Sequence, residues 1–327
     1  MLDLQGRVLR RVEQSAIQPL RLACSRSGLV AFVGETATQP SELWLIDENG
    51  ERAACVTNLH REYPKAALQS PRLRKFTSFD GRQIEAAFYS PAGLPAGFKP
   101  PLVVYVHGGP TGRWADWFYY RVHCLVARGF AVLLPNIRGS TGYGWEFLTA
   151  NRGDWGGGDY RDVMAGVDDL VRAGLVDGDR VGICGWSYGG YMAAWATTQT
   201  NRFRAAVVGA GMSNLQSLFG NELIATSHYD RWFLGLPYEV PRLYRERSPI
   251  THISKATTPT LILQGETDPI TPAAQSRELY RGLRHYGIES QLVVYPREGH
   301  GLREEAHLID QIDRIARWFE NHMEPKR

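Results

Sequence analysis

The chain has 327 residues, of which 43% are hydrophobic and 22% charged, and its formal net charge is +3. This composition predicts a globular protein with a large core, and a small net charge with scattered arginines argues against nucleic acid or a membrane surface as partner. The apolar runs are shorter than the roughly 18 residues that a membrane-spanning helix needs, and the first residues lack a signal-peptide core. We therefore expect a cytoplasmic protein.

The four cysteines point to the same compartment. Their spacing contains no C-x-x-C pair, and each stands alone in apolar surroundings: Cys24, Cys55, Cys124 and Cys184. Single cysteines of this kind favour buried free thiols in a reducing environment.

Residues 1–70 are predicted to form a β-rich segment. Three strand-like runs lie within it, with a hairpin turn signal between the last two: Leu29–Val33, Glu42–Ile46, Asp47–Gly50 and Ala53–Thr57. Such short antiparallel strands match one propeller blade, and no second copy follows. Because an isolated blade has open edges, we expect the chain to form a homo-oligomer through them. The stretch from Tyr63 to Pro71 is interpreted as a linker.

Residues 71–327 are predicted to form an α/β domain. The domain begins with a hairpin over Arg72–Tyr89, with a turn at Asp80 and Gly81. Unbroken apolar runs then alternate with helical segments. The predicted strands are Leu102–Val106, Ala131–Pro135, Arg180–Cys184, Ala205–Val208, Thr260–Leu263 and Gln291–Tyr295. The predicted helices lie near Trp117–Arg128, Asp159–Ala173, Gly190–Thr198, Ala273–Tyr286 and Leu308–His322, with Asp159 as an N-cap. This alternation indicates a mostly parallel, doubly wound sheet with helices on both faces.

One sequence predicts a nucleophile. Gly185-Trp-Ser187-Tyr-Gly189 is a G-x-S-x-G match between a strand and an Ala-rich helix, the context in which the serine stands exposed on a sharp turn. Asp268 and His300 each follow the end of a later strand, so all three side chains are expected at one edge of the sheet. Their chain order, Ser then Asp then His, is that of an α/β-hydrolase fold.

The chemistry requires these residue types. A serine hydroxyl is a poor nucleophile at neutral pH, so His300 would accept its proton while Asp268 holds the imidazole. The stretch Val106-His-Gly-Gly-Pro110 matches a loop that presents a backbone N–H to an oxyanion, and Gly109 and Tyr188 are the predicted donors. For His107 we expect a structural role within that loop.

These motifs together resemble the prolyl oligopeptidase family of serine peptidases, and most of all its acylaminoacyl-peptidase-like members. The resemblance covers roughly Arg72 to His322 and includes Asn136-Ile-Arg-Gly-Ser-Thr-Gly-Tyr-Gly144. It implies Ser187, Asp268 and His300 as the triad, Gly109 and Tyr188 as oxyanion amides, and the Asn136–Gly144 stretch as a loop near the site.

One difference from the family bears on specificity. Its members usually carry a complete propeller that restricts access to short peptides, whereas about 70 residues precede the hydrolase here. We expect either a stand-alone hydrolase with an open site or a chain shortened from a longer parent, without the propeller residues that bind a peptide's amino terminus.

Two segments are candidates for substrate contact. The aromatic stretch Trp114–Tyr120 either lines an apolar pocket or begins a core-facing helix. The stretch Ser213–Tyr244, with Trp232, Phe233 and Tyr238, is expected to be long, irregular and to cap the site. Gly156–Gly158 lacks the rest of a phosphate-binding motif, and the chain shows no zinc-ligand spacing, so we expect a turn there and neither cofactor nor metal.

The sequence therefore predicts a serine hydrolase that cleaves peptide or acyl-amino-acid amide bonds through an acyl-enzyme on Ser187. Its partners would be short peptides or acyl-amino acids. A carboxylesterase acting on small esters with the same triad is the alternative, since the triad does not separate esters from amides. A non-catalytic binding module is disfavoured because all three triad positions are filled.

Overall fold

The computed structural model describes residues 17–46, 53–62, 68–223 and 226–323. The turn predicted at Asp47–Gly50 lies outside these ranges, as do the chain start and most of the predicted linker. The chain packs as two compact units, one up to Pro71 together with Ala115–His123, the other comprising Arg72–Trp114 and the residues from Cys124 onward. The domain boundary near residue 71 that the sequence suggests stays a prediction.

The smaller unit contains a four-stranded antiparallel sheet in the order β1-β2-β3-β4. Its strands are β1 (Gln18–Cys24), β2 (Val30–Thr36), β3 (Gln39–Ile46) and β4 (Ala53–Cys55). Phe32 and Trp44 stack across two neighbouring strands with ring centroids 6.3 Å apart. Leu22 in the edge strand β1 is exposed, so the β1 edge of this sheet is poorly covered by the residues that the structure describes.

The larger unit is organised around an eight-stranded sheet in the order β12-β11-β10-β9-β7-β8-β6-β5. Its strands are β5 (Arg72–Thr77), β6 (Gln83–Tyr89), β7 (Pro101–Val106), β8 (Ala131–Asn136), β9 (Asp177–Trp186), β10 (Phe203–Gly209), β11 (Thr260–Gly265) and β12 (Ser290–Tyr295). The last six pair in parallel, and the β5–β6 hairpin adds antiparallel to β8. The predicted fold class is confirmed.

The helices are α1 (Tyr120–Ala127), α2 (Trp145–Leu148), α3 (Gly158–Arg172), α4 (Tyr188–Gln199), α5 (Leu215–Phe219), α6 (Thr226–Phe233), α7 (Pro241–Glu246), α8 (Ala273–His285) and α9 (Glu305–Met323), with a 3-10 helix at Pro249–Lys255. None of those in the described part of the chain has the length and hydrophobicity that crossing a membrane demands.

Helices cover both faces of the central strands. A Cβ atom on Gly182 of β9 would lie 2.6 Å from the ring of Phe319 in α9. The residues on either side, Val181 and Ile183, point to the other face and join the core cluster that includes Tyr191 of α4. Strands buried on both faces have little room for polar residues, which explains their unbroken apolar runs.

Three predictions were wrong. Asp159 does not cap α3: the helix begins after Gly157, and the Asp154 carboxylate accepts a 2.7 Å hydrogen bond from the Gly158 N–H. Cys24 and Cys55 are exposed free thiols, because they end or occupy edge strands of the small sheet, whereas Cys184 is buried. The segment Ser213–Tyr244 is not irregular, since it contains α5, α6 and most of α7.

Candidate active site

Ser187 stands on a sharp turn between β9 and α4. Its backbone φ is 61°, a left-handed conformation that costs a non-glycine residue about 1–3 kcal/mol. The flanking glycines make this turn possible: a Cβ on Gly185 would lie 2.3 Å from the carbonyl carbon of Gly189, and one on Gly189 would lie 2.1 Å from the Val106 oxygen. The motif therefore places the serine where a larger neighbour would collide with backbone.

The structure brings Ser187, His300 and Asp268 together. The Ser187 Oγ lies 2.9 Å from His300 Nε2, and His300 Nδ1 lies 2.8 Å from Asp268 Oδ2. Asp268 follows β11 and His300 follows β12, at the carboxyl ends of parallel strands as predicted. With Nδ1–H donating to the carboxylate, Nε2 is free to accept the serine proton.

Several donors hold Asp268 in place. Its Oδ1 accepts from the N–H groups of Ile270 and Thr271 at 2.8 and 3.0 Å, and its Oδ2 accepts from the Thr271 hydroxyl at 2.8 Å. Gln264 adds a longer contact of 3.3 Å. Burial alone would raise the pKa of Asp268, but the bonds from His300 and from the Thr271 and Ile270 amides outweigh it and the pKa is lowered. The carboxylate therefore stays ionised at neutral pH.

The loop that carries His300 has its own support. The buried carboxylate of Glu298 accepts from the Arg303 and Glu304 N–H groups and from His307, each at 2.9 Å. The Trp186 indole donates to the His300 carbonyl at 2.6 Å. Glu298, Glu304 and His307 are close enough to hold a cation. However, Glu298 already accepts three bonds and Glu304 pairs with Arg297 at 2.7 Å, so these groups serve to shape the loop.

The loop after β7 lies against the Ser187 turn. A Cβ on Gly108 would come within 3.5 Å of the Ser187 Cβ. Tyr188 is the first residue of α4, so its N–H has no acceptor within the helix. This N–H lies at the positive end of the helix dipole. The predicted donors Gly109 and Tyr188 thus lie on the two segments that meet at the serine.

His107 shapes this loop, as predicted. Its Nδ1 lies 2.8 Å from the Gly108 carbonyl and its Nε2 lies 2.8 Å from the Ser140 hydroxyl. Burial lowers the pKa of His107 to about 4, so the ring is neutral. A neutral ring has one N–H, and Nδ1 donates it to the Gly108 carbonyl, because a carbonyl oxygen can only accept.

The Asn136–Gly144 stretch is tied to the same loop. Besides the Ser140 contact, Asn136 exchanges two bonds with the Trp114 backbone, at 2.7 and 3.0 Å. The buried guanidinium of Arg138 binds Asp162 at 2.7 Å and Asp80 at 2.9 Å. Burial disfavours its charge, but these two carboxylates prevail and raise the pKa of Arg138. Ion pairing thus anchors the stretch beneath the site.

A second buried carboxylate lies behind the serine turn. Asp159 accepts a short hydrogen bond from the Tyr188 hydroxyl and a 2.7 Å bond from the Tyr160 N–H. Burial raises the pKa of Asp159 to about 7, the two bonds oppose the rise, and the negative charges of Asp162 and Asp154 add to it. No sequence motif predicts the contact between Asp159 and Tyr188.

A cavity of about 610 Å³ opens beside Gly109. Trp145, Leu148 and Trp232 form apolar parts of its wall, and Arg152, His228 and Arg231 form the polar parts. The segment Ser213–Tyr244 thus reaches the site through α6. The aromatic stretch Trp114–Tyr120 does not line this cavity; Trp114 instead packs edge-to-face on Tyr105 at 5.4 Å.

Sequence reasoning missed several supporting residues. Thr271 follows Asp268 by three positions, the spacing at which a carboxylate accepts local backbone and hydroxyl donors, so a turn analysis can find it. Trp186, Glu298 and Asp159 act through contacts between distant parts of the chain, and no local pattern reports them.

Comparisons with known proteins identify relatives of this chain. The chain is 33% identical over 317 residues to an uncharacterized peptidase, YuxL, of Bacillus subtilis, covering 96% of this chain and 48% of the relative. A puromycin-hydrolyzing peptidase of Mycobacterium tuberculosis superposes with a TM-score of 0.89 at 30% identity, covering 100% of this chain and 52% of that one. The acylaminoacyl peptidase of Pyrococcus horikoshii has the same TM-score at 26% identity, covering 97% and 52%.

The chain thus spans about half the length of the relatives it matches. The family model described as "Prolyl oligopeptidase family" matches residues 116–326, which is well over half of the chain. The sequence resemblance is confirmed: this chain belongs to the prolyl oligopeptidase family.

Proposed function

We propose that this protein is a serine hydrolase that cleaves peptide or acyl-amino-acid amide bonds. One observation carries the proposal: an unbroken hydrogen-bonded chain runs from the Ser187 hydroxyl through His300 to Asp268. The relatives support the substrate class, because their names describe peptidases and an acylaminoacyl peptidase.

The geometry assigns each group a step. As the Ser187 Oγ attacks the substrate carbonyl carbon, its proton passes to His300 Nε2, and Asp268 stabilises the resulting imidazolium. His300 returns this proton to the leaving amine as the C–N bond breaks, which leaves an acyl-enzyme. Water, deprotonated by the same imidazole, then attacks the ester carbonyl and restores the serine.

Charge develops on the substrate oxygen during both attacks. The N–H groups of Gly109 and Tyr188 are proposed to stabilise it, the second with the aid of the α4 dipole. His107 and Ser140 act one step removed, since they hold the loop that carries Gly109.

A fluorophosphonate probe tests the nucleophile. The native protein is expected to be labelled once, on Ser187, and Ser187→Ala is expected to lose both the label and turnover by on the order of a millionfold. Ser290, at the start of β12 and so at the opposite end of that strand from His300, supplies the control, since Ser290→Ala should label like the native chain. Equal labelling of Ser187→Ala would refute the proposal.

Amide cleavage separates this proposal from the esterase alternative. Turnover of acetyl-amino-acid 4-nitroanilides is expected to exceed background by many orders of magnitude. Hydrolysis of 4-nitrophenyl acetate without any anilide turnover would instead assign the site to a carboxylesterase.

We further propose that the protein works in the cytoplasm and associates with itself. Exposed free thiols at Cys24 and Cys55 suit a reducing compartment. The edge strand β1 exposes 46% of Leu20 and 71% of Leu22, which favours pairing with a second copy. Cell fractionation and concentration-dependent light scattering test these two points; a monomer at all concentrations would contradict the second.

A further inference from the structure

The cavity beside Gly109 has a marked charge bias. Two arginines, Arg152 and Arg231, are among the residues that line it. The described residues that line it include no aspartate or glutamate. Trp145, Leu148 and Trp232 line it as well and supply its apolar surface.

Arg152 is held in position by a helix end. Its Nε donates to the Arg231 carbonyl at 2.7 Å, and the neighbouring Gly153 N–H donates to the Trp232 carbonyl. Both carbonyls belong to the last turn of α6, where backbone oxygens have no partner within the helix. These bonds fix the position of the Arg152 side chain and leave its two terminal nitrogens available for a ligand.

Arg231 projects its charge onto the same wall. His228 and Arg231 both line the cavity, and burial together with the positive charge of Arg231 lowers the pKa of His228, so the imidazole is neutral. The net charge of the cavity wall therefore comes from the arginines.

Neither guanidinium takes part in a salt bridge within the part of the chain that the structure describes. The nearby Arg247, by contrast, binds Asp154 at 2.7 Å. Arginine forks match a carboxylate in geometry and charge, and two of them at one cavity form a site for an anionic group.

We propose that this cavity binds a carboxylate of the substrate, so that the enzyme prefers acyl groups bearing an acidic side chain near the scissile bond. This inference rests on the proposed function. The cavity begins at Gly109, whose N–H is the proposed partner of the substrate carbonyl oxygen. The side chains of the acyl group are therefore the part of the substrate that enters it.

Matched substrates test the preference without any variant. Four 4-nitroanilides are compared by kcat/KM: acetyl-Ala-Glu against acetyl-Ala-Gln, and acetyl-Glu-Ala against acetyl-Gln-Ala. We expect the acidic member of one pair to be favoured about tenfold at low ionic strength and less in high salt. Equal rates within both pairs would overturn the inference and leave the proposed function intact.

Variants assign the preference to the two arginines. Arg152→Gln and Arg231→Gln should each bring the acid-to-amide ratio of kcat/KM toward one; because the ratio is taken within each variant, a general loss of turnover cancels from it. Arg281→Gln, on the exposed face of α8, is the matched control and should keep the native ratio. An unchanged ratio in both cavity variants would refute the assignment.

Binding provides a readout that does not need activity. Calorimetry on Ser187→Ala with acetyl-Ala-Glu, acetyl-Glu-Ala and their glutamine counterparts should show tighter binding of one acidic peptide, lost when Arg152→Gln and Arg231→Gln are added. If no anilide is turned over but this preference appears, the proposed function fails, and what remains of the inference is that the cavity binds a carboxylate. If neither peptide class is distinguished, the inference fails by itself.

Discussion

Asp268 and Asp159 are two buried carboxylates that connect to the Ser187 turn through different residues. Asp268 reaches the serine through His300, and Asp159 reaches it through Tyr188, whose N–H is a proposed oxyanion donor. Their pKa values nevertheless shift in opposite directions: that of Asp268 is lowered, whereas that of Asp159 is raised to about 7.

The difference lies in what faces each carboxylate. Asp268 accepts hydrogen bonds from His300, Ile270 and Thr271, and these outweigh the effect of burial on its pKa. Asp159 has fewer donors, and the charges of Asp154 and Asp162 repel it. Burial alone therefore does not decide the charge of a carboxylate; the balance of donors and neighbouring charges does.

Among changes to these two carboxylates and their donors, the largest expected effect is that of Asp268→Asn. Asp268→Asn should lower kcat by about 10⁴-fold, because the amide favours the wrong tautomer of His300. Measured with the best anilide, Asp159→Asn is the matched control and should keep most of its activity. Similar losses of kcat in both variants would show that Asp159 matters to catalysis as much as Asp268, contrary to this prediction.

The second prediction concerns Asp159 and pH. Because its pKa of about 7 exceeds the unfolded value of about 3.9, the folded protein binds one more proton between about pH 4 and 7, and this group lowers stability as pH rises. In the native protein this group lowers the free energy of unfolding by up to ~1.4 kcal/mol per pH unit over that range. In Asp159→Asn this contribution to the pH dependence should be absent.

Urea denaturation from pH 4.5 to 8 measures this slope. The exposed Asp179→Asn is the control and should follow the native curve. A variant curve parallel to that of the native protein would contradict the raised pKa.

Removing the Tyr188 hydroxyl should have a smaller effect. Tyr188→Phe removes the closest side-chain donor of Asp159 and leaves the Asn151 amide at 3.5 Å, at a cost of about 1–3 kcal/mol in the free energy of unfolding at pH 8. Tyr286→Phe, on an exposed ring, should cost nothing measurable. A Tyr188→Phe protein as stable as the native one would show that the hydroxyl does not stabilise the carboxylate.

The smallest expected effect concerns the donors of Asp268. Thr271→Val removes one hydroxyl donor, so the Asp268 carboxylate holds His300 less firmly, and kcat/KM at pH 7 should fall by roughly threefold. Thr258→Val, a buried threonine bonded to the Phe203 carbonyl, should keep the native kcat/KM. An unchanged kcat/KM in Thr271→Val would argue against this account.

Much of the fold was predictable because its signals are local. Continuous apolar runs marked the parallel strands, and β9 and α4 flank the serine as expected, with ends that differ by a few residues. The short helices α2, α5, α6 and α7 were not predicted, because each is too short to show an amphipathic period and is held by tertiary packing.

The sequence by itself determined the family, the fold class and the three side chains that meet at the sheet edge. Each of these follows from strand order and from residues that stand next to a strand end. Only the tertiary structure decided the opposite pKa shifts of Asp268 and Asp159 and the pairing of Arg152 with the end of α6. The reason is physical: charge and specificity depend on distances between groups far apart in the chain, and no local pattern encodes those distances.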